Sequence, residues 1–273
     1  MDFMNCFDDC CVYDVSALVK LNYRSSTDGY QPKFFTSDRQ KFIKAQASLS
    51  GVLMHDWKVE ILASNICNHW HIPCIQQKHC KVITKSGELD AVESRNFGLD
   101  KKEFQSFRSL LDHNYLDMDD EFIHLDAVAK LRWCADKLST LCNLEYSSCE
   151  KYMIDLAMID CIIGNTDRHS KNYGVFFNIE TSTYEIALVF DNGMGLFEND
   201  YYRDSYKSYN DAMHNVYVSP YGEDPFELVE LLSDNFDLSS YDVISLPLDQ
   251  NCVPNDFAKR YLSEMMEKIR RLQ

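Results

Sequence analysis

Ile163-Gly164-Asn165-Thr166-Asp167-Arg168-His169-Ser170-Lys171-Asn172 is a polar loop set between two apolar runs, Met158 to Ile163 before it and Tyr173 to Phe177 after it. A short interval later comes Val189-Phe190-Asp191-Asn192-Gly193. From Tyr173 onward the chain reads as a hairpin whose turn lies at residues 180–183. In that register Ile179 faces Tyr184 and Tyr173 faces Phe190, which predicts Asn172 opposite Asp191. Cross-strand neighbours lie roughly 5 Å apart, close enough for the two side chains to share one ion. Mg²⁺ takes few protein oxygens and fills its remaining positions with water and substrate phosphates. Asp167 is then left to accept a proton from an attacking hydroxyl. One carboxylate for the proton and two oxygen ligands for the metal is the division of labour that phosphoryl transfer needs.

Bulk properties narrow the class. At 273 residues the chain is long enough for one two-lobed domain or two small ones. Hydrophobic residues make up 45%, and no apolar run approaches the ~18 residues of a membrane span. Met1-Asp2-Phe3-Met4-Asn5 lacks the basic and apolar regions of a signal peptide, so a cytoplasmic location and no membrane partner are expected. The 11 cysteines are read as reduced thiols, an odd count in a chain too large to need a disulfide frame. Spacings of two put Cys67, His69 and His71 on different faces of a helix, which argues against a zinc site with Cys74, His79 and Cys80. With 27 basic against 43 acidic residues the net charge is −16, so direct nucleic acid binding is not expected. A role on DNA would need a partner to bring the chain there.

In chain order, residues 17–23 read as a strand and 24–33 as a polar loop. Residues 34–36 and 41–46 form a hairpin, and a helix covers about 56–70 with Asp56 as its N-cap. Residues 74–84 and 88–93 make a second hairpin around Ser86-Gly87. Helices are expected at 102–111, 125–141 and 147–163, the last capped by Ser147 or Ser148. Residues 199–221 are polar, and further helices cover 225–232 and 255–272. Lys44, flanked by Ile43 and Ala45, needs a partner if its strand is buried. Asp160, in the last turn of its helix, is disfavoured by the dipole unless a cation answers it, and Arg168 is in reach to do so.

Asp167-x-His169-x-Lys171-Asn172 followed by Phe190-Asp191 resembles the catalytic and metal-binding loops of HipA-like serine/threonine kinases. Gly164-x-x-Asp167-Arg168-His169-x-x-Asn172 is also similar to the corresponding loop of phosphoinositide kinases. Well upstream, Ser26-x-x-Gly29-x-Gln31-x-Lys33 fits the HipA-like phosphate loop Ser-x-x-Gly-x-Gln-x-Lys at every fixed position. The resemblance, to the short kinase-core members, implies an α+β, two-lobed protein-kinase-like fold. It implies a small β-rich N-lobe over residues 1–97, a mostly helical C-lobe over 98–273, and ATP with Mg²⁺ between them.

The same resemblance implies roles. Asp167 is the general base, Asn172 and Asp191 are the metal ligands, and Lys44 reaches the nucleotide phosphates with Glu60 as its ion-pair partner. On general phosphoryl-transfer chemistry, apart from the resemblance, Lys171 is either a cation that neutralises the transferred phosphate or a surface lysine, and His169 reads as support for the loop beside the nucleotide. Ser26, Gly29, Gln31 and Lys33 surround the phosphates, while Glu93, Ser94 and Phe97 line the adenine pocket. The resemblance further implies a protein acceptor with Ser or Thr, autophosphorylation at Ser26, and a toxin held by a DNA-binding antitoxin partner. Two departures stand out: no Gly-x-Gly-x-x-Gly is present, and Asp191-Asn192-Gly193 replaces Asp-Phe-Gly, so that the activation segment after Asp191 cannot be carried across. Three rivals stay open: a small-molecule kinase of aminoglycoside or sugar type, a metal-dependent hydrolase using Asp167, His169, Asn172 and Asp191, and a silent nucleotide-binding module.

Overall fold

The computed structural model describes residues 10–21, 31–46, 48–49, 52–96, 101–116, 122–198, 207–246 and 248–273. Ser26, Gly29 and Phe97 lie outside them, as do the expected lobe boundary at 97/98 and residues 199–206.

The amino-terminal part is a six-stranded sheet built from β1 (Cys11–Asp14), β2 (Leu18–Lys20), β3 (Lys33–Thr36), β4 (Lys41–Ala45), β7 (Lys78–Thr84) and β8 (Gly87–Arg95). Their order is β1-β7-β8-β4-β3-β2. β1 and β2 occupy opposite edges, yet only the 3₁₀ turn Val15–Ala17 joins them. A connection this short requires the sheet to curl until its edges approach. Phe34, Ile43, Ala45, Cys80, Val82 and Ala91 form a core on one face, with Tyr13, Val15 and Leu18 packed against it. Since successive strand residues alternate faces, Lys44 and its partner Val92 point the other way. A short pair, β5 (Ser48–Leu49) with β6 (Val52–Leu53), leads into α1 (Asp56–His69).

α1 is buried nearly all round, as a helix enclosed by protein on every side should be. Its apolar residues join Val92 of the sheet and the helical half in one large core. Asp56 is not the N-cap: that position belongs to His55, which makes no side-chain cap bond, and Asp56 turns inward.

The helical half comprises α2 (Phe107–His113), α3 (Ala127–Cys142), α4 (Tyr146–Ile163), α5 (Tyr209–Met213), α6 (Pro225–Asn235) and α7 (Asp256–Leu272). Side chains of Ser106, Asp126, Asp224 and Asn255 cap α2, α3, α6 and α7. α4 is the axis, with every residue from Tyr152 to Ile163 buried. Neither Ser147 nor Ser148 caps it: the N-cap is Glu145, without a side-chain bond.

A second sheet, β11-β10-β9, holds the loop that follows α4. Residues 102–106, expected as the start of a helix, are instead strand β9 (Lys102–Ser106), antiparallel to β10 (Gly174–Asn178). Lys102, Glu103 and Gln105 favour helix on their own. Pairing with β10, and Phe104 set edge-on to Phe176 and Phe190 at 5.9 and 5.1 Å, overrides that preference. The hairpin register also differs from the expected one by two residues. Phe177 faces Tyr184 and Asn178 faces Thr183, so the turn begins at Ile179. Asn178 Oδ1, which accepts from the amides of Glu180 and Thr181, sets that earlier turn.

After β11 (Thr183–Ile186) the chain leaves β10. Val189 pairs instead beside Cys74, accepting from Ile75 N–H and donating to the Pro73 carbonyl, each at 2.9 Å. Asp191 is thereby carried across to the first sheet. No helix among the described residues is long and apolar enough to cross a membrane.

The β9–β10 contact leaves no room at Gly174, where an added Cβ would stand 2.2 Å from the Gln105 carbonyl oxygen. Gly174→Ala is expected to destabilise the protein by at least about 2 kcal/mol, read from the midpoint of urea unfolding. An unchanged midpoint would refute this packing.

Candidate active site

α4 ends on Gly164 in the left-handed conformation, φ 57°. The Asn165 amide donates to the Asp160 carbonyl at 2.9 Å and that of Gly164 to the Cys161 carbonyl at 3.3 Å. This double closure is the Schellman arrangement, which glycine permits because it carries no Cβ. The chain then enters a loop tied by its own bonds. Asp167 N–H donates to Asn165 Oδ1 at 3.1 Å, Asn172 N–H to the His169 carbonyl at 2.8 Å, and the Asn172 amide to the Asp167 carbonyl at 3.2 Å.

Arg168 anchors that loop. Its side chain is buried and meets Asp160 through Nε, at 3.2 and 3.0 Å from the two carboxylate oxygens, and through Nη2, at 2.9 Å. Nη1 donates to the Phe190 carbonyl at 2.6 Å and the Asn172 carbonyl at 3.4 Å, and Nη2 to Asn192 Oδ1 at 2.6 Å. Burial works against this charge, but Asp160 outweighs it and keeps the guanidinium protonated. Asn172 and Asp191 are therefore not cross-strand neighbours as expected. Their segments meet because one guanidinium nitrogen serves both carbonyls.

From Asn192 the bonds continue into the other half. Asn192 N–H donates to Glu60 Oε2 at 3.1 Å, and Glu60 Oε1 lies 2.7 Å from Lys44 Nζ. The same ammonium is 2.6 Å from Asp191 Oδ1. Lys44 on β4, Glu60 on α1 and Asp191 beyond β11 thus converge on one charge. Burial disfavours that charge, and the two carboxylates more than compensate, raising Lys44 above the usual lysine range. Burial likewise opposes ionisation of Asp191, yet Lys44, Lys33 and Arg168 together hold its carboxyl well below the ordinary range. Lys33 stands directly across from Lys44 in the β3–β4 register. Asp191 itself adopts a positive φ of 58°, a strained conformation for a residue other than glycine.

Asp167 is half-buried, and its carboxyl is raised by burial, with His169 opposing and Asp191 adding. His169 and Lys171 are exposed, the Lys171 amide donating to His169 Nδ1 at 3.3 Å. Gln31 is half-buried just ahead of β3. Glu93 and Ser94 lie within β8, opposite Ile43 and Phe42. The Glu93 carboxylate faces away from Lys44, taking Lys41 Nζ at 2.7 Å and the Tyr13 hydroxyl.

Two acids lie beside this network although sequence reasoning assigns neither a place in the site. Asp56 is 2% exposed, and its Oδ1 has no hydrogen-bond partner among the described residues. It lies against the turn after Asp191, where a Cβ on Gly193 would sit 3.4 Å from both Asp56 Cβ and Glu60 Oε1. Glu198, wholly buried, accepts from His55 N–H at 2.7 Å. Asp56 looks like any helix-opening aspartate in the sequence, and no pattern marks Glu198.

The β-rich sheet and the helical half together make a two-lobed kinase-like fold. Among solved structures the chain is similar to the Helicobacter pylori proinflammatory kinase CtkA, with a TM-score of 0.56 and 14% identity over 95% of this chain and 94% of that one. It is also similar to a chain of the Shewanella oneidensis MR-1 toxin–antitoxin complex of HipA, HipB and operator DNA, with a TM-score of 0.44 and 15% identity over 93% of this chain and 65% of that one. At these identities the likeness to CtkA is one of fold. No protein-family model matches the sequence, and no curated protein matches it.

Removing one member of a buried ion pair strands the other charge, at a cost of about 3–5 kcal/mol. Arg168→Ala is expected to lose about that much in chemical unfolding, with Arg168→Lys recovering only part, since an ammonium cannot serve so many separated acceptors. A loss below about 1 kcal/mol, the scale of a surface pair, would overturn the role given to this contact.

Burial pushes the Asp56 carboxyl up to about 7, with Lys44 opposing and Glu60 adding. The folded state therefore holds a proton that the unfolded chain releases near pH ~4. Asp56 favours folding most at low pH, and that contribution falls as pH rises between those values. Asp56→Asn should flatten this slope. Its unfolding midpoint relative to wild type is expected to be higher at pH 8 than at pH 5, and an equal offset at both would refute the assignment.

Proposed function

We propose that the chain is an ATP- and Mg²⁺-dependent kinase that phosphorylates serine or threonine in a protein. The observation that carries this reading is the Lys44 ammonium held between Glu60 at 2.7 Å and Asp191 at 2.6 Å. Three elements distant in sequence thus converge on one buried cation, beside the part-exposed Asp191 carboxylate.

The donor set suits the group it would hold. Asp191 supplies an ionised, part-exposed carboxylate and Asn172 an amide oxygen, hard ligands of the type Mg²⁺ takes. Bound MgATP supplies the phosphoryl group, and its metal neutralises charge on the phosphate oxygens. The chain's own residues do the rest. Lys44 orients the nucleotide phosphates while Glu60 fixes its ammonium, and Lys33 adds a second cation on the same face of the sheet. Asp167 accepts the proton of the attacking hydroxyl, whose oxygen forms the new bond to phosphorus as the bond to the leaving diphosphate breaks. The raised Asp167 carboxyl makes it a better proton acceptor than an ordinary aspartate. Lys171 faces the transferred group, and His169 steadies the loop. Ser26, Gly29 and Gln31 serve as phosphate-loop residues in this reading, and Glu93, Ser94 and Phe97 as adenine-pocket residues, Glu93 through its backbone.

Residues 1–97 and 98–273 form the two lobes in this reading, and Ser26 is the site of autophosphorylation. An antitoxin-type, DNA-binding partner follows from the motif resemblance, with the net charge of −16 leaving DNA contact to that partner.

Incubation with radiolabelled ATP and Mg²⁺ is the test. Wild type is expected to label itself or an added protein mixture. Asp167→Asn and Lys44→Met should each lose about 10²–10⁴-fold in rate, the range of a general base or a charge-stabilising contact. Label retained in Asp167→Asn would sink the assignment of the base. Label on small hydroxylated acceptors alone would replace the protein acceptor with a small molecule.

A further inference from the structure

α1 starts without a cap of its own. Its N-cap residue, His55, makes no side-chain cap bond, and the first acid of the helix, Asp56, turns inward. The His55 amide instead donates to Glu198 Oε2 at 2.7 Å. Glu198 is wholly buried, and its other oxygen lies 3.8 Å from His55 Nδ1 and accepts from Asn255 Nδ2 at 3.5 Å, at the head of α7. A carboxylate that meets a helix at its N-terminus is favoured by the helix dipole. The group that holds the start of α1 thus comes from the segment that follows Asp191.

That segment adopts an unusual backbone to deliver it. Leu196 and Phe197 are both left-handed, with φ 52° and 65°, a conformation that side-chain-bearing residues keep only where their surroundings impose it. Leu196 N–H donates to the Ile163 carbonyl at 2.6 Å, and Glu198 N–H to the Gly195 carbonyl at 3.0 Å. A Cβ on Gly195 would stand 2.7 Å from the same Ile163 oxygen, so only glycine lets the chain pass this close to the end of α4. The Phe197 ring is set edge-on to Tyr209, Phe257 and Tyr261 at 6.1, 6.2 and 5.8 Å. Residues 191–198 therefore meet the start of α1 at three points: Asn192 N–H on Glu60 Oε2 at 3.1 Å, Gly193 against Asp56, and Glu198 on the His55 amide.

We propose that Glu198 is a positioning residue, which holds the N-terminus of α1 from the segment after Asp191 and so keeps Glu60 against Lys44.

Glu60 lies on the second turn of α1, just beyond the end that Glu198 holds. The Lys44 ammonium touches Glu60 and Asp191 at once, so it keeps both partners only while α1 and residues 191–198 stay in place relative to each other. Glu198 ties the one to the other away from Lys44 itself. The catalytic consequence of this contact rests on the kinase reading above, whereas the state of Lys44 does not depend on it.

Pulse acylation of Lys44 with acetic anhydride in nucleotide-free protein, read by mass spectrometry, tests the proposal in variants shown by urea unfolding to be folded. Glu198→Ala should acylate Lys44 several-fold faster than wild type. Glu198→Gln, which keeps an oxygen for the His55 amide, should return most of the way to the wild-type rate. In a Glu60→Gln background Glu198→Ala should add nothing further, because its effect travels through Glu60, whereas general loosening would multiply the two effects. Should Glu198→Ala not fold, Glu198→Asp, one carbon shorter, takes its place. An unchanged Lys44 rate in the folded variant would overturn the proposal, as would multiplied effects in the double variant or no recovery in Glu198→Gln. With radiolabelled ATP, Glu198→Ala should slow transfer by up to about 10²-fold, the cost of misplacing a catalytic group by an ångström. Undiminished transfer would also overturn the proposal. A wild type that transfers no label refutes the kinase reading instead, and the Lys44 rates then decide on Glu198.

Discussion

A guanidinium enclosed on all sides governs this molecule. Arg168 keeps its charge in the interior only because its donors find acceptors in three separate segments: the Asp160 carboxylate, the carbonyls of Asn172 and Phe190, and the Asn192 amide. Moving such a charge out of water costs several kcal/mol, and only near-complete pairing offsets it. The constraint therefore acts in reverse on the backbone. The loop after α4 and the turn after β11 must come together, because any other arrangement leaves a buried charge or carbonyl without a partner. Arginine suits the task and lysine does not, since a planar fork can serve several separated acceptors at once.

From that anchor the bonds run without a break into the β-rich half, through Asn192 to Glu60, from Glu60 to Lys44, and from Lys44 back to Asp191. α1 is the shared member. It lies against the sheet that carries Lys44, and its apolar residues belong to the core of the helical half. A shift of α1 would break the Glu60 contacts on both sides, so the position of this helix and the charge state of the cleft are coupled. Asp56 lies at the entry of the same helix.

Much was legible from local pattern. Apolar runs bounded by polar turns give β3, β4, β7 and β8, and apolar periodicity gives the helices expected at 125–141, 225–232 and 255–272. The position of Asp160 in its helix's last turn called for a cation and made Arg168 a candidate, and the structure pairs the two. The strand β9 was not legible, because Lys102 to Ser106 carry helix-forming side chains and only β10 alongside makes them extended. β1 was missed as well: its burial pattern is mostly exposed, and its partner β7 lies far along the chain. The hairpin register slipped because Asn178 can cap a turn one step earlier than the polar run suggests.

Local chemistry by itself determined which residue types mark the candidate site: an acid and an amide five apart in a loop that leaves a helix, a second acid after a hairpin, and a lysine between apolar neighbours. Those features depend on spacing and on helix and strand signals, which neighbouring residues set. Tertiary structure decided how they meet. Asn172 and Asp191 come together through Arg168 and not by strand pairing, and Asp191 reaches Lys44 because Val189 abandons β10 for Cys74. The apparent N-cap Asp56 is buried beside Gly193. Each of these outcomes turns on satisfying buried charges and backbone groups across segments far apart in sequence, a requirement that exists only once the chain has closed on itself.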